Sequence, residues 1–463
     1  MLFERIESVG LAHYSYIIGD GTTAFVIDPR RDCDVYIQAA TQEGMRIAAI
    51  LETHRNEDYV TGSLELAART GAEIWHADAQ LDYGYGQPVE DGQTWQVGRL
   101  KMQAIHSPGH TPGSMSYLLF EPSGAPWMVF TGDALFAGDV GRVDFLGMDR
   151  APEMAGHLYD TIFDKLLPLG DDVILCPAHG FGSACGGAIA ERNWTTLGLE
   201  RKLNPRLQFT DRDAFIANVA KKLEKPPYFE RMEKWNAAGA PILGTLPIPT
   251  PLSPSEFAEK ARQGIVLDTR LELGFGAAHV PGAFSVWLDG VPKFAGWFLP
   301  DDRPILLVNE TSDPTQVVRY LIRLGYDDVV GSLAGGMLAW HMAGQKSASL
   351  RTITVQALCH ALDEGGEPWI LDVRSDKEVA AGPIPDAHHI HLTQLPHHLG
   401  DVPRDRPVHI FCGSGLRSMV AASLLRREGA DKAPSEWRHP WENLTVVLGG
   451  LSGWSSTTCP LEL

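Results

Sequence analysis

THRNEDY, at residues 53–59, decides the fold of the first half of this chain, because it follows an apolar run that predicts a β-strand. Three more short segments stand next to predicted strands, namely HSPGHTP (106–112), TGD (131–133) and CPAH (176–179). The metal-binding side chains in these four segments are, in chain order, His54, His110, Asp133 and His179. Loops at strand ends gather on one edge of a packed sheet, so we predict that these residues meet in one metal site.

The four segments together resemble the metallo-β-lactamase family over roughly residues 10–185. The dinuclear hydrolases of that family read HxHxDH at the first motif. This chain keeps the first histidine as His54 but has Asn56 and Tyr59 where the other two belong. Two ions that clamp a hydrolytic water are therefore disfavoured.

The ligands that remain in one site are His54, His110 and the carboxylate of Asp133. Two histidines and one carboxylate suit a single Fe²⁺ ion per chain, with open positions for O₂ and a substrate atom. Zinc accepts the same ligands, so ligand identity leaves both metals open. We expect Asp58 and His179 to lie outside the coordination sphere and to orient the ligands.

Within this fold, the chain is similar to the persulfide dioxygenase branch, which binds iron at the positions of His54, His110 and Asp133. That branch also carries a segment like TGDALFAGDVGRVDF (131–145). The resemblance implies that Arg142 meets an anionic substrate, with an ion-pair role as the alternative. Most members of the branch keep a histidine at the position of Asn56, so metal preference stays open.

Bacterial fusions of this fold to sulfurtransferase domains look similar at HGFGSACGG (179–187). The resemblance implies that Cys185 hands over a sulfane sulfur or holds the substrate in a mixed disulfide. The alternative is a small residue in a glycine-rich turn.

Beyond residue 201, the chain changes character. A charged, helical segment extends to about residue 240, and a proline-rich linker follows it. After the linker, LDTRLELGFGAAHVPGA (267–283) matches LDVRSDKEVAAGPIPDA (371–387), so the chain contains an internal repeat. Each copy alternates strands and helices, which predicts two small doubly wound α/β domains.

The second copy contains HIFCGSGLRSMVAASLLRR (409–427), which predicts a strand, a tight loop and a helix. Backbone N–H groups, the helix N-terminus and Arg417 would surround the thiol of Cys412 with positive potential and stabilise a persulfide anion. This stretch resembles the rhodanese active loop, with Cys412 and Arg417 as its catalytic residues. The loop residues expected to bind substrate are Gly413, Ser414, Gly415, Leu416 and Ser418.

The first copy has Val308 in place of the cysteine and Asp313 in place of the arginine, so it is predicted to be catalytically silent. The fold class is therefore α/β, an αββα sandwich followed by two rhodanese-like domains. The predicted domains are residues 1–240, including a helical extension at 201–240, then 241–347 and 348–463.

Composition limits the partners. The chain has 463 residues and a formal net charge of −19, which argues against nucleic acid or an anionic membrane as a partner. The N-terminus lacks the apolar core of a signal peptide and the six cysteines have no CxxC spacing, so we expect a cytoplasmic protein with free thiols.

Together these resemblances imply a persulfide dioxygenase fused to a sulfurtransferase. Its reactants would be a low-molecular-weight persulfide, O₂ and sulfite, and its product would be thiosulfate, as in bacterial sulfide detoxification. A zinc thioesterase like glyoxalase II, tethered to a sulfurtransferase, is the alternative, and a non-catalytic persulfide sensor is the third hypothesis. The thiol that carries the persulfide and the state of homo-oligomerisation are left open.

Overall fold

The computed structural model describes residues 1–427 and 441–454. These residues form two compact units, one made of Met1–Leu246 with Ile322–Gly325, the other of Pro247–Leu321 with the chain from Tyr326 onwards. The division at residue 246 falls within the proline-rich segment. The two rhodanese-like domains thus share one compact unit, and their predicted boundary near residue 347 stays a prediction.

The first unit contains two six-stranded sheets. The first has the order β1 to β6: Leu2–Ser8, His13–Asp20, Thr23–Ile27, Arg46–Leu51, Glu73–His76 and Gln87–Pro88. The second has the order β14-β13-β10-β9-β8-β7, with β7 Thr94–Val97, β8 Leu100–His106, β9 Met115–Phe120, β10 Pro126–Gly132, β13 Ile174–Pro177 and β14 Thr195–Thr196. A small ribbon pairs β11 (Leu135–Phe136) with β12 (Asp139–Val140).

The helices of this unit are α1 Asp34–Gln42, α2 Ser63–Thr70, α3 Ala151–Asp160, α4 Leu197–Leu203, α5 Arg212–Val219 and α6 Phe229–Ala238. Helices α1 and α2 pack on the outer face of the first sheet, α3 packs on the outer face of the second, and α5 packs on α3. Alternation along β10 shows the layering, because Met128 and Phe130 pack between the sheets while Val129 packs against α3. On β2, Tyr16 faces the same inner core and Ile17 faces α1 and α2. The predicted αββα sandwich is confirmed.

The sheet register brings the metal-binding segments to one edge. Strands β10 and β13 pair in parallel, with Phe130 opposite Cys176, so the segments that carry Asp133 and His179 leave the same end of the sheet. Gly132 has a φ of +53°, and a Cβ there would lie 2.6 Å from Thr53 Oγ1. This close approach places the end of β4, and with it His54, against Asp133.

The second unit contains two five-stranded parallel sheets with the same strand order. The first, β15-β19-β18-β16-β17, contains β15 Thr250–Leu252, β16 Ile265–Asp268, β17 Phe284–Ser285, β18 Ile305–Val308 and β19 Val329–Leu333. The second, β20-β24-β23-β21-β22, contains β20 Arg351–Thr354, β21 Trp369–Asp372, β22 His388–His389, β23 Val408–Phe411 and β24 Leu444–Leu448.

The helices follow the same repeat. In the first copy they are α7 Pro254–Lys260, α8 Glu272–Ala277, α9 Val291–Phe298, α10 Thr315–Arg323 and α11 Gly336–Met342. In the second they are α12 Val355–Asp363, α13 Asp376–Ala381, α14 Leu416–Arg427 and α15 Gly450–Trp454. An ion pair recurs at the end of the second strand of each copy, Asp268 with Arg270 and Asp372 with Arg374, each at 2.6 Å. The internal repeat is confirmed.

Two further observations concern membrane-spanning helices and the state of the cysteines. Among the described residues, no helix combines the length and the apolarity that crossing a bilayer requires. Cys33, Cys176, Cys185 and Cys412 are free thiols, as expected. Cys359 is disulfide-bonded, so that expectation is wrong for it, and Cys459 lies outside the described residues.

Candidate metal centre and cysteine loop

The structure brings His54, His110 and Asp133 together in a buried cluster. Asp133 Oδ2 lies 3.8 Å from His54 Nε2 and 3.6 Å from His110 Nε2. None of the three residues is more than 2% exposed. Donor atoms that share one ion at about 2.1 Å lie roughly 3 to 4 Å apart, so these separations fit a single metal ion.

Unpartnered atoms point to the same conclusion. His54 Nε2, His110 Nε2 and Asp133 Oδ2 are all buried without a hydrogen-bond partner, although buried polar atoms in proteins are normally paired. In both histidines, a hydrogen bond of the other ring nitrogen, Nδ1, fixes the orientation of the ring. His110 Nδ1 donates to the carbonyl of Arg142 at 2.9 Å. The hydroxyl of Thr53 donates to Asp28 Oδ2. The hydrogen bond of 2.9 Å between Thr53 Oγ1 and His54 Nδ1 must therefore be donated by Nδ1. The two Nε2 lone pairs therefore face the cluster.

Glu57 is a member of this cluster that sequence reasoning missed. Its Oε1 lies 2.9 Å from His110 Nε2, and its Oε2 is buried and unpartnered. Glu57, His54, His110 and Asp133 each offer one ligand atom, and these atoms all lie within 4.8 Å of one another. A metal-binding site made of histidine, glutamate and aspartate is therefore present. The HxHxDH comparison treated position 57 as a spacer, and the signal was a carboxylate three residues after His54.

His179 is engaged on both sides by carboxylates. Its Nδ1 donates to Asp133 Oδ1 at 2.7 Å and its Nε2 donates to Asp58 Oδ2 at 2.9 Å. Burial alone would lower the pKa of His179, but the two carboxylates outweigh it and raise the pKa well above its ordinary value. Asp58, His179 and Cys185 form a second group of buried side chains whose ligand atoms all lie within 4.8 Å of one another. The supporting role of Asp58 and His179 stays a prediction.

Asn56 and Tyr59, which stand where the dinuclear hydrolases have histidines, make other contacts. Asn56 donates from Nδ2 to the carbonyl of His54 at 3.3 Å. Tyr59 is buried and its ring lies 3.9 Å from that of His13, centroid to centroid. Neither side chain supplies an imidazole, and the expectation of one ion per chain stays a prediction.

Cys185 lies beside the metal cluster but is fully buried. Its thiol donates to Glu57 Oε1 at 3.7 Å, and it packs against Phe136 and Ile189. Burial raises the pKa of the thiol well above its ordinary value, and nearby carboxylates add to the effect. The sulfur is therefore a neutral hydrogen-bond donor here, not the accessible nucleophile that sulfur transfer requires.

Arg142 corrects a sequence-based expectation. Its guanidinium is buried and makes five hydrogen bonds, two to Asp144 and three to the carbonyls of Ala184, Leu223 and Glu224. Since a guanidinium has five N–H donors, none is left for an anionic substrate. The residue instead positions His110 through its backbone carbonyl.

The loop that starts at Cys412 joins β23 to α14. Cys412 Sγ is buried and accepts a hydrogen bond from Gly415 N at 3.1 Å. Ser418, in the first turn of α14, has a buried hydroxyl without a partner. Three loop carbonyls accept hydrogen bonds from the N-terminal end of α15, those of Cys412, Gly413 and Ser414 from Leu451, Ser452 and the preceding Gly449. These hydrogen bonds fix the loop around the thiol.

Arg417 forms a bidentate ion pair with Glu378, at 2.6 and 2.7 Å. Glu378 also caps α13, where it accepts from Ser375 in a capping box. The hydrogen bonds from Arg417 hold the pKa of Glu378 at about 2. The positive charge expected at Cys412 is thus shared with a carboxylate, a feature that the sequence analysis did not include.

The corresponding loop of the first copy has another role. Val308 ends β18 inside the sheet, and Asn309 accepts from Thr269 Oγ1 at 2.9 Å. Asp313 accepts from Thr315 N at 2.9 Å, at the start of α10. With neither a thiol nor a cation at these positions, this loop lacks the chemistry of the second copy.

Comparison with known proteins agrees with these observations. The profile of the metallo-beta-lactamase superfamily matches residues 9–179, and that of the rhodanese-like domain matches residues 253–343 and 354–457. Persulfide dioxygenase ETHE1, mitochondrial, from Bos taurus is 31% identical over 224 residues, which cover 78% of that protein and 46% of this chain. The chain belongs to the metallo-beta-lactamase superfamily. Its metallo-beta-lactamase domain has persulfide dioxygenase homologues and is fused to two rhodanese-like domains.

Two more proteins are similar to this chain. Hydroxyacylglutathione hydrolase GloC from Haemophilus influenzae is 29% identical over 214 residues, 91% of its length and 42% of this chain. The crystal structure of a metallo-beta-lactamase from Staphylococcus aureus aligns with a TM-score of 0.64 and 28% identity, over 72% of this chain and 99% of that one. The hydrolase and the persulfide dioxygenase each match somewhat less than half of this chain, whereas the Staphylococcus aureus structure aligns with 72% of it.

Proposed function

We propose that this protein is a non-haem iron persulfide dioxygenase with sulfurtransferase activity. Its first unit would oxidise a low-molecular-weight persulfide with O₂ to sulfite and a thiol. Its C-terminal rhodanese domain would then combine sulfite with a second sulfane sulfur to give thiosulfate. Such a protein would remove sulfide-derived persulfides in the cytoplasm.

One observation carries this proposal, namely a buried cluster of His54, Glu57, His110 and Asp133 that offers ligands for one ion. Asn56 and Tyr59 stand where the dinuclear hydrolases have two more histidines, which disfavours a hydrolytic pair of ions. A single ion with histidine and carboxylate ligands keeps positions open, as O₂-using iron enzymes require. The similarity to persulfide dioxygenases supports the same choice.

The protein residues have defined tasks in the first reaction. Thr53 and the carbonyl of Arg142 orient His54 and His110, and His179 holds the Asp133 carboxylate. Bound iron would supply positions at which O₂ and the terminal sulfur meet. The reaction balances as RSSH + O₂ + H₂O giving RSH, sulfite and two protons, so the sulfane sulfur loses the four electrons that O₂ gains.

In the second reaction, Cys412 would carry the sulfur. Its thiolate attacks the terminal sulfur of RSSH, the S–S bond of the donor breaks, and RS⁻ leaves and takes up a proton. Sulfite then attacks the outer sulfur of the Cys412 persulfide and leaves as thiosulfate, which restores the thiolate. The N–H of Gly415, 3.1 Å from Sγ, would stabilise the anionic sulfur.

The test combines metal analysis with two variants. The iron-loaded protein should consume O₂ with glutathione persulfide, and His110→Ala should abolish this activity. Cys412→Ser should still consume O₂ but release sulfite without thiosulfate. Undiminished thiosulfate formation by Cys412→Ser would refute the role of that cysteine.

The zinc thioesterase alternative rests on the similarity to GloC. Zinc as the native metal, together with hydrolysis of S-lactoylglutathione and no O₂ uptake, would favour it.

A further inference from the structure

Glu57 is placed where the loss of a histidine leaves room for another ligand. It is 1% exposed and lies between His110 and Cys185. Adjacent Asn56, which stands where the family has its second histidine, points its amide nitrogen at the carbonyl of His54 instead. The loop thus turns a carboxylate, not an imidazole, into the cluster.

We propose that Glu57 is a direct ligand, so that this protein holds its ion with two imidazoles and two carboxylates. The proposal deepens the function argued above and rests on it for the presence of the metal centre. In this arrangement, a carboxylate oxygen of Glu57 replaces the imidazole that is missing at the preceding position, Asn56.

The distance between Glu57 and His110 fits two ligands of one ion better than a hydrogen-bonded pair. Two donors about 2.1 Å from one ion and at right angles to each other are about 3 Å apart. Glu57 Oε1 lies 2.9 Å from His110 Nε2 but is not aligned with it as a hydrogen bond, and both atoms belong to the four-residue cluster. That arrangement is the one expected of neighbouring ligands on a common ion.

The charge of Glu57 gives a second reason. Its Oε2 is buried without a hydrogen-bond partner, and an unsatisfied carboxylate oxygen in the protein interior is costly. A divalent ion in the cluster would be matched in charge by the carboxylates of Glu57 and Asp133. Two carboxylates also favour ions that prefer oxygen ligands, such as Fe²⁺ or Mn²⁺, over softer ones.

Cys185 then acquires a positioning role. Its thiol donates to Glu57 Oε1, the same oxygen that lies 2.9 Å from His110 Nε2, and a carboxylate oxygen has a second lone pair for a metal. Outer residues usually orient metal-binding carboxylates in this way. A neutral, buried thiol suits this task. Four protein ligands would leave two of six positions, enough for O₂ and one sulfur atom.

The experiment counts water molecules on Mn²⁺ bound to the full-length apoprotein. Mn²⁺ is titrated against a competing chelator, and line broadening of its EPR signal in ¹⁷O-labelled water gives the number of bound waters. Glu57→Ala should bind one more water than wild type and raise the Kd for Mn²⁺ about tenfold or more. Glu57→Gln, which preserves the side-chain size, should weaken binding in the same direction.

Glu65→Gln is the matched control, because Glu65 is another buried glutamate of the same unit but accepts only from Leu243 N and Gly244 N. It should bind Mn²⁺ as wild type does. An unchanged water number in Glu57→Ala, whatever its affinity, would overturn the proposal for Glu57 alone. Wild-type protein that binds no Mn²⁺ or Fe²⁺ would overturn the metal centre and the proposed function with it.

Discussion

At the scale of single residues, the ion pair between Arg417 and Glu378 determines how much positive charge reaches Cys412. Both contacts are short, and Arg417 lies in the first turn of α14, directly after the loop. A cation that is shared with a carboxylate stabilises a neighbouring thiolate less than a free cation does. The loop at Cys412 therefore has less positive potential than an unpaired Arg417 would give it.

We expect Glu378→Gln to accelerate persulfide loading of Cys412 at neutral pH. Glutamine preserves the capping box at Ser375 but releases the charge of Arg417. A gain of about 1 kcal/mol in attraction for the thiolate corresponds to roughly a fivefold faster reaction. The measurement is a mass-spectrometric time course with limiting glutathione persulfide. Glu367→Gln, at an exposed position of the same domain, is the control, and equal rates in all three proteins would contradict the prediction.

The same pair predicts a pH dependence of stability. The pKa of Glu378 in the folded protein is about 2, below its ordinary value of 4.5, so the pair stabilises the fold above pH 4.5. This contribution shrinks below pH 4.5 and is lost as the pH falls through about 2. The difference in unfolding free energy between wild type and Glu378→Gln should therefore be smaller at pH 3 than at pH 6. Since the pair is partly exposed, added salt should reduce it, and a pH-independent difference would argue against this assignment.

At the scale of elements, the glycine pair before α15 supports the cysteine loop. Gly450 has a φ of +47°, and a Cβ at this residue would lie 2.2 Å from the carbonyl oxygen of Cys412. The first copy has its glycine pair at the same point. Gly336 has a φ of +58°, but a Cβ there would meet nothing within 4 Å.

This contrast gives a matched pair of variants. Both Gly450→Ala and Gly336→Ala carry the backbone strain of the left-handed region, about 1 kcal/mol. Only Gly450→Ala should displace the cysteine loop and lower thiosulfate formation, by about tenfold or more, with O₂ uptake unchanged. Assays of thiosulfate formation from sulfite and persulfide would test this, and equal losses in the two variants would contradict it.

Element by element, much of the fold is predictable from apolar periodicity. The stretch at residues 409–427 is predicted as a strand, a tight loop and a helix, and it contains most of β23, the cysteine loop and α14. The metal-binding positions follow from their location at strand ends. The internal repeat predicts the two parallel sheets because buried strands have a recognisable composition.

Side-chain partners across long separations are less predictable. Glu57 was treated as a spacer because the family template assigns no role to that position. Arg142 was expected to meet a substrate or to form an ion pair, and it pairs with Asp144, but its other hydrogen bonds reach residues up to 82 positions away. Glu378 lies 39 residues from Arg417, and its cap position gave no indication of that pairing.

At the scale of the whole molecule, metal binding should stabilise only one of the two compact units. The four cluster residues all lie in the unit that contains Met1–Leu246. A ligand present at 100 times its Kd stabilises a folded state by about 2.7 kcal/mol. Calorimetry should therefore show two unfolding transitions, of which Mn²⁺ raises the temperature of one.

His110→Ala is the control for this experiment, since it removes a ligand and should abolish the shift. A single transition that moves as a whole with Mn²⁺ would show instead that the two units unfold together.

The ion pairs Asp268–Arg270 and Asp372–Arg374 have a consequence for engineering. In each copy the arginine also donates to a carbonyl eight residues later, of Ala278 or Gly382. The two copies differ at the positions of Cys412 and Arg417 but share these framework contacts, so the framework and the loop can change independently. The first copy is for that reason a suitable host into which the heptapeptide CGSGLRS can be grafted at positions 308–314.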